Sequence, residues 1–238
     1  MKTPALELPR RFYKSAGVGA ADGGFSILLD GRTPKSPRGG ALVVPTEALA
    51  GRIAAEWEAQ GERIVVADMP ATRLAYTALD SVPQAREAVA AEVAAYGGSD
   101  ALCYRATHPM ALIARQAELW DPWLDWAATH LQAPLKATSG VIHVSQDEAV
   151  LNRLRHRALA EDDFGLAGLA FATPLFGSAV LAWAVREARL TGPEAFELSR
   201  LEEIFQESQW GVDAEAAQRT ARLARDAEMI GAWFAALR

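Results

Sequence analysis

The side chains of this sequence that could do chemistry are few and scattered. Its four histidines, His108, His130, His143 and His156, have no second ligand-type residue at the helical or hairpin spacings that a metal ion requires. Gly17, Gly19 and Gly23 suggest a dinucleotide loop, but the third glycine comes one position late and no helix starts there to meet a pyrophosphate. A β-turn accounts for them. Neither a Walker G-x-x-x-x-G-K-[ST] loop nor a G-x-S-x-G elbow is present. Glu161, Asp162 and Asp163 could hold a cation, yet neighbouring residues on a helix point to different azimuths, so they read as a charged helix end. His156 among Arg153, Arg155 and Arg157 suggests an anion site and reads more simply as a basic face paired with those acids. Cys103 is alone, which excludes an intrachain disulfide, and reads as a small buried apolar residue. No cofactor or metal is expected, although an active site assembled from residues distant in sequence stays open.

The elements that would position these residues change character along the chain. Up to about residue 45, short β-prone runs (FYKSAGV, FSILLD, ALVVP) alternate with turn dipeptides such as Asp22-Gly23 and Asp30-Gly31, the pattern of hairpins. From Thr46 the period becomes helical, with Leu49, Ile53 and Trp57 on one stripe, which makes Trp57 a structural core residue. IVVAD at 64–68 reads as a return to the sheet. Helical patterns then cover 71–82, 84–97, 109–131, 146–164, 166–190, 194–210 and 213–237, with GVIHV at 140–144 as a short strand or extended connector. Capping boxes are expected at Ser145 with Glu148 and at Thr191 with Glu194. Trp120, Trp123 and Trp126 read as an aromatic seam between helices, and Ala216, Thr220, Leu223, Ala227, Ile230 and Phe234 as the buried stripe of the last helix. The fold class is α+β: a small antiparallel β-rich N-terminal domain over 1–68, then a larger α-helical domain over 69–238.

With 238 residues, half of them hydrophobic, the chain can bury a real core in one or two domains. A net charge of -6 disfavours nucleic acid and anionic membranes as partners, and the ends differ in sign. Residues 1–40 carry seven Lys and Arg against three acids, whereas 193–217 carry seven acids against one Arg. Phe164–Val185 is uncharged over a bilayer-crossing length. Its Ala and Gly content and Pro174 make it a buried helix or helix pair rather than a span. The N-terminal MKTPALELPRRFYK has no secretory apolar run and is short for an organelle presequence, so a cytoplasmic bacterial protein is expected.

Seven runs, in order, carry a resemblance: RFYK at 11–14, LDGRTPKSP at 29–37, LAGRIAAEWEAQ at 49–60, MPATRLAYTALD at 69–80, DALCYRA at 100–106, QAELWDPWLDW at 116–126 and LEEIFQESQWG at 201–211. Together they resemble the family of F1-ATPase α-subunit assembly chaperones of mitochondria and some bacteria, with Ser36 where that pattern has Thr. The resemblance implies a β-rich domain followed by a helical one. It also implies a nucleotide-independent chaperone, not an enzyme, that binds the free F1 ATP synthase α subunit; organellar relatives would work in the mitochondrial matrix. The rival readings are an enzyme with a cleft between the two domains, and a general scaffold or holdase.

On a continuous helix from Glu194 to Gly211, Leu198, Leu201 and Phe205 would face the core. Phe196, Glu203, Gln206, Glu207 and Trp210 would lie opposite, flanked by Glu202, as a partner-binding face of aromatic anchors among polar groups. In the alternative, the two aromatics tuck under neighbouring helices and the acids serve solubility.

Overall fold

The computed structural model describes residues 8–140, 142–211 and 213–238. They form two compact units, one through Gln84 together with Ala236–Arg238, the other Ala85–Ala235.

In the first unit, β1 (Ala16–Ala21), β2 (Gly24–Leu29) and β3 (Val43–Val44) form an antiparallel sheet in sequence order. The Asp22-Gly23 turn pairs Ala21 with Gly24. Helix α1 (Glu47–Glu58) lays Leu49, Ala50, Ile53, Ala54 and Trp57 into the core, and Thr46 caps it by accepting from the amide of Leu49. The hydroxyl of Tyr13 donates to the carbonyl of Trp57 at 2.6 Å, and the two rings meet edge to face. Arg11 straps the same corner, donating to the carbonyls of Tyr13, Lys14, Glu58 and Gln60. Helix α2 (Pro70–Asp80) lies in this unit too, whereas the sequence reading drew the boundary after residue 68. Its own N-cap, Met69, offers no side-chain acceptor. Glu56 of α1 supplies one, taking the amides of Ala71 and Thr72 and the Thr72 hydroxyl, each at 2.7 Å. Asp80 closes the other end, accepting from Ser36 Oγ at 2.6 Å and from the Arg38 amide at 3.1 Å. The IVVAD segment is not a strand: Val66–Asp68 is a single 3₁₀ turn, and only the Arg10–Arg63 bridge just before it pairs extended backbone.

The second unit is helical. The segment α3 (Val82–Gly98) leaves helical geometry at Ala85, where the unit begins. After it come β4 (Tyr104–Arg105), α4 (Met110–His130), β5 (Thr138–Ser139) and α5 (Glu148–Leu159). The chain ends with α6 (Asp163–Phe176), α7 (Ala179–Arg186), α8 (Gly192–Ser199), α9 (Leu201–Trp210) and α10 (Ala214–Ala236). The β4 and β5 strands pair in parallel. Helix α7 is the centre: every residue from Ala179 to Val185 is buried, and it packs against α4, α6 and α8. Against α10, the start of α8 approaches so closely that a Cβ on Gly192 would lie 1.8 Å from the carbonyl oxygen of Ala227, a position only glycine can fill.

Several local expectations are corrected. The pattern over 166–190 is two helices, because Gly177 ends α6 in a left-handed conformation (φ 59°) and Ser178 caps α7. Pro174 stays inside α6, and the chain does not break there. The helix expected over 146–164 is α5 plus the capped start of α6. The Ser145 box does not form, since Asp147 caps α5 instead, whereas the Thr191–Glu194 box is present. Of the two readings of 140–144, a short strand or an extended connector, the connector fits: residues 142–144 lie in no regular element, Ile142 is exposed and the strand is the earlier β5, while Val141 falls outside the described residues. No helix among the described residues is long and apolar enough to cross a membrane, and Phe164–Val185 is the paired core helices α6 and α7.

Two consequences are measurable. Trp57 is buried among the α1 stripe, so Trp57→Ala should cost about 3–5 kcal/mol in denaturant unfolding. Asp100 is fully buried before α7, accepting from the amides of Leu102 and Val180, and desolvation pushes its carboxyl up from 3.8 to about 6 despite those bonds. A folded-state value above the unfolded one means that its contribution is whole below pH 3.8 and is lost as pH rises through about 6. The loss amounts to up to about 3 kcal/mol. Unfolding free energy measured from pH 4 to 7 should show this decline, and Asp100→Asn should flatten it while losing the bond from the Val180 amide.

Candidate partner interface

The groups that could do chemistry are dispersed, and most of them are engaged structurally. Glu161 receives Arg186, Asp162 caps α6 through the Gly165 amide at 2.6 Å, and Asp163 pairs with Arg86. Arg155 and Arg157 pair with Glu87 and Glu187, and Arg153 donates to the carbonyl of Gln132. His130 stacks on Trp126 and His143 meets the Tyr104 hydroxyl at 2.9 Å. Burial pushes the Cys103 thiol up to about 12, which keeps it protonated. Among the described residues no group of three or more His, Cys, Asp or Glu side chains is placed to hold a metal ion.

The acidic segment near the C-terminus is built differently from the single helix read in the sequence. Arg200, at φ −109° and ψ 20°, ends α8 and begins α9, so the azimuths of the two halves no longer run on one clock. Phe196 therefore falls into the core at 7% exposure instead of joining the outer face. The guanidinium of Arg200 lies 5.5 Å from the Phe196 ring centroid and binds Glu207 at 2.7 Å, clamping the bend from both sides. On α9, Leu201 is buried, Glu203 and Gln206 are exposed, Glu202 and Glu207 are half-buried, and Trp210 is 81% exposed. The structure thus brings Glu203, Gln206 and Trp210 to the surface of one helix and removes Phe196 from it.

Sequence reasoning missed what holds α9 in place. Gln116 of α4 is fully buried, and both ends of its amide are used: Oε1 accepts from the Ala106 amide at 2.8 Å, and Nε2 donates to Glu202 Oε1 at 2.6 Å. One turn along α4, Trp120 Nε1 donates to the carbonyl of Leu198 at 2.9 Å. A glutamine within an amphipathic pattern carries no signal of its own; only the fold reveals its partner. Arg105, unassigned from sequence, donates to the Leu102 carbonyl, pairs with Asp121 at 2.7 Å and lies over the Trp120 ring. Beside these bonds runs a groove of about 570 Å³ lined by Arg115, Leu119, Leu190, Leu198, Leu201 and Ile204, with Glu194 and Glu197 on its rim. Glu194 is bound to the amide and hydroxyl of Thr191, which hold its carboxyl below the usual range.

The neighbouring acids should therefore behave differently. Glu202→Lys takes the acceptor from a buried amide and should lower stability by about 1–3 kcal/mol, whereas Glu203→Lys, at an exposed position, should change it by less than about 0.5 kcal/mol. Thermal melting of the two variants beside Gln116→Leu separates these effects.

Comparison with known proteins agrees with this architecture. The model of the family described as ATP12 chaperone protein matches residues 10–128. The chain is similar to protein atp12, mitochondrial, of Schizosaccharomyces pombe, at 25% identity over 85% of this chain and 74% of the relative. Among solved structures it is similar to Atp12 of Paracoccus denitrificans, at 44% identity over 97% of this chain and 99% of that one, with a TM-score of 0.90. A charge-reversal mutant of the same Paracoccus protein superposes with a TM-score of 0.91, at 44% identity over 97% and 98% of the two chains. The two-unit α+β architecture and these matches lead to one conclusion: the chain belongs to the ATP12 chaperone protein family.

Proposed function

We propose that this chaperone binds the unassembled F1 ATP synthase α subunit and shields it until the β subunit takes its place, without nucleotide and without catalysing a reaction, in the bacterial cytoplasm. Family membership supports the chaperone part, and the ordered runs of resemblance along the chain support the client. A ring subunit made ahead of its neighbours exposes apolar interface, and such surface aggregates unless covered. A cover for it must present anchors of its own. The observation that carries the reading is Trp210, 81% exposed at the end of a helix whose outer face also holds Glu203 and Gln206. Large aromatic side chains ringed by polar groups are what binding surfaces concentrate. Glu202 and Glu207, bound to Gln116 and Arg200, are the acids at its edge, while Phe196 lies buried against Arg200 and takes no part in it.

The test is to present purified chain with free α subunit, free β subunit and assembled F1. Binding is expected to free α alone, unchanged by ATP; equal binding to β, or a requirement for ATP, would overturn the reading. Glu203→Lys should weaken the α complex about tenfold through the reversed charge while melting as wild type.

A further inference from the structure

The three-stranded sheet of the first unit has two edges, and they are finished differently. On one side β3 is two residues long and runs straight into Pro45, which stops further pairing. On the other side β1 runs for six residues, AGVGAA, with no charge and no proline. It has no bulge either, since it pairs one to one with β2 from Ala16–Leu29 to Ala21–Gly24. An edge of this length without any blunting device is a template for another strand.

The register says which backbone groups lie on that edge. Successive residues of an antiparallel strand turn their N–H and C=O groups alternately to one side and the other. The amides of Ile27 and Leu29 donate away from β1, to the carbonyls of Leu42 at 3.4 Å and Arg32 at 2.8 Å. Their partners Val18 and Ala16 therefore turn their own groups away from β2, and so does Ala20, two residues on. Glu58 takes the outward amide of Ala16 at 2.6 Å and closes the start of the edge. Among the described residues, nothing donates to or accepts from the outward groups of Val18 and Ala20. Val18 is half-buried and Ala20 exposed, so these groups are within reach of a partner.

The side chains say what kind of strand fits. Gly17, Leu28 and Gly19 lie on one face of the sheet. Leu28 leans over Gly19, where a Cβ would come within 2.7 Å of its Cδ1, whereas a Cβ on Gly17 would meet nothing within 4 Å. The place beside Gly17 is thus empty, and a large aromatic or aliphatic side chain from a neighbouring strand covers a strand glycine of this kind. A second copy cannot supply one. Its β1 offers only alanine, glycine and one valine, and pairing the two edges would fall far short of the roughly 1,200 Å² that a stable interface buries.

We infer that the outer edge of β1 is a strand-addition site, at which an extended segment of the client joins the sheet as a fourth strand. Its backbone pairs with Val18 and Ala20, and a large apolar side chain of the segment lies over Gly17 against Leu28. This inference rests on the function proposed above and gives the first unit a part in it.

Amide-resolved hydrogen exchange of the chain, alone and with purified F1 α subunit, reads the site directly. The Val18 and Ala20 amides should exchange fast in the free chain and at least about tenfold slower in the complex, while Gly17 and Gly19, bonded to β2, stay slow in both. Two variants test it by affinity. Ala20→Pro removes only an outward N–H and leaves the ladder with β2 whole, and Gly17→Lys fills the empty place with a charge. Each should weaken α binding about tenfold with unchanged melting, and Gly51→Lys, on the open side of α1, should not. If α binds while the two amides exchange as fast as before and both variants bind as wild type, the inference is overturned and the client reading stands. If wild type does not bind α at all, both fall. Protection of these amides in a dimer of the free chain that Ala20→Pro dissociates would overturn the inference in favour of a second copy.

Discussion

A helix cannot be buried unless something accepts its first backbone amides, and this fold meets that demand largely with carboxylates, two of them from elsewhere in the chain. Glu56 reaches from α1 to the start of α2, and Asp100 reaches from the end of α3 to the start of α7. Asp147, Asp162 and the Thr191–Glu194 box serve α5, α6 and α8 from within. The bonds from Glu56 and Asp100 let α2 and α7 start inside protein instead of in water, and in every case the charged acceptor gains from the helix dipole. The central helix α7 depends on this most. Its apolar sequence is covered on all sides while a fully buried acid and the Ser178 hydroxyl take the amides at its N-terminal end.

Much of this was legible in advance, and the failures share a cause. The hairpin, the α1 stripe and the Thr191–Glu194 box are local patterns, in which residues a few positions apart decide the outcome, and sequence spacing reads these well. Breaks inside helical patterns are harder. Gly177 with Ser178 is a stop and a start back to back, visible in principle as an αL residue followed by a cap, but masked by the uniform apolarity around it. Arg200 offers no such mark. The bend there follows from what its guanidinium binds, Glu207 and the face of Phe196, and neither contact is written in the residue type. One missed bend was enough to turn Phe196 from an outer to an inner position.

The runs that carry the family resemblance acquire a physical meaning from the same contacts. Arg11 and Tyr13 of the first run strap the end of α1. Asp30 of the second holds the amides of Lys14 and Ser15, and Ser36 holds Asp80 at the end of the fourth. Asp100 and Arg105 of the fifth tie α7 and α4, while Gln116 of the sixth grips Glu202 of the seventh. Motifs far apart in sequence prove to be two ends of one hydrogen bond. Most of the recognisable residues are therefore scaffold, and the surface that the scaffold presents is carried by a small remainder.

The seven tryptophans are distributed very unevenly between interior and solvent. Trp57, Trp120, Trp183 and Trp233 are buried, Trp123 and Trp126 are partly covered, and Trp210 alone among them stands almost free. An indole in water emits at longer wavelength than one in a protein interior and is open to collisional quenchers. The chain thus carries its own optical reporter at the end of α9, whose red-edge emission and quenching by iodide register what happens at that surface while the buried indoles report the integrity of the fold.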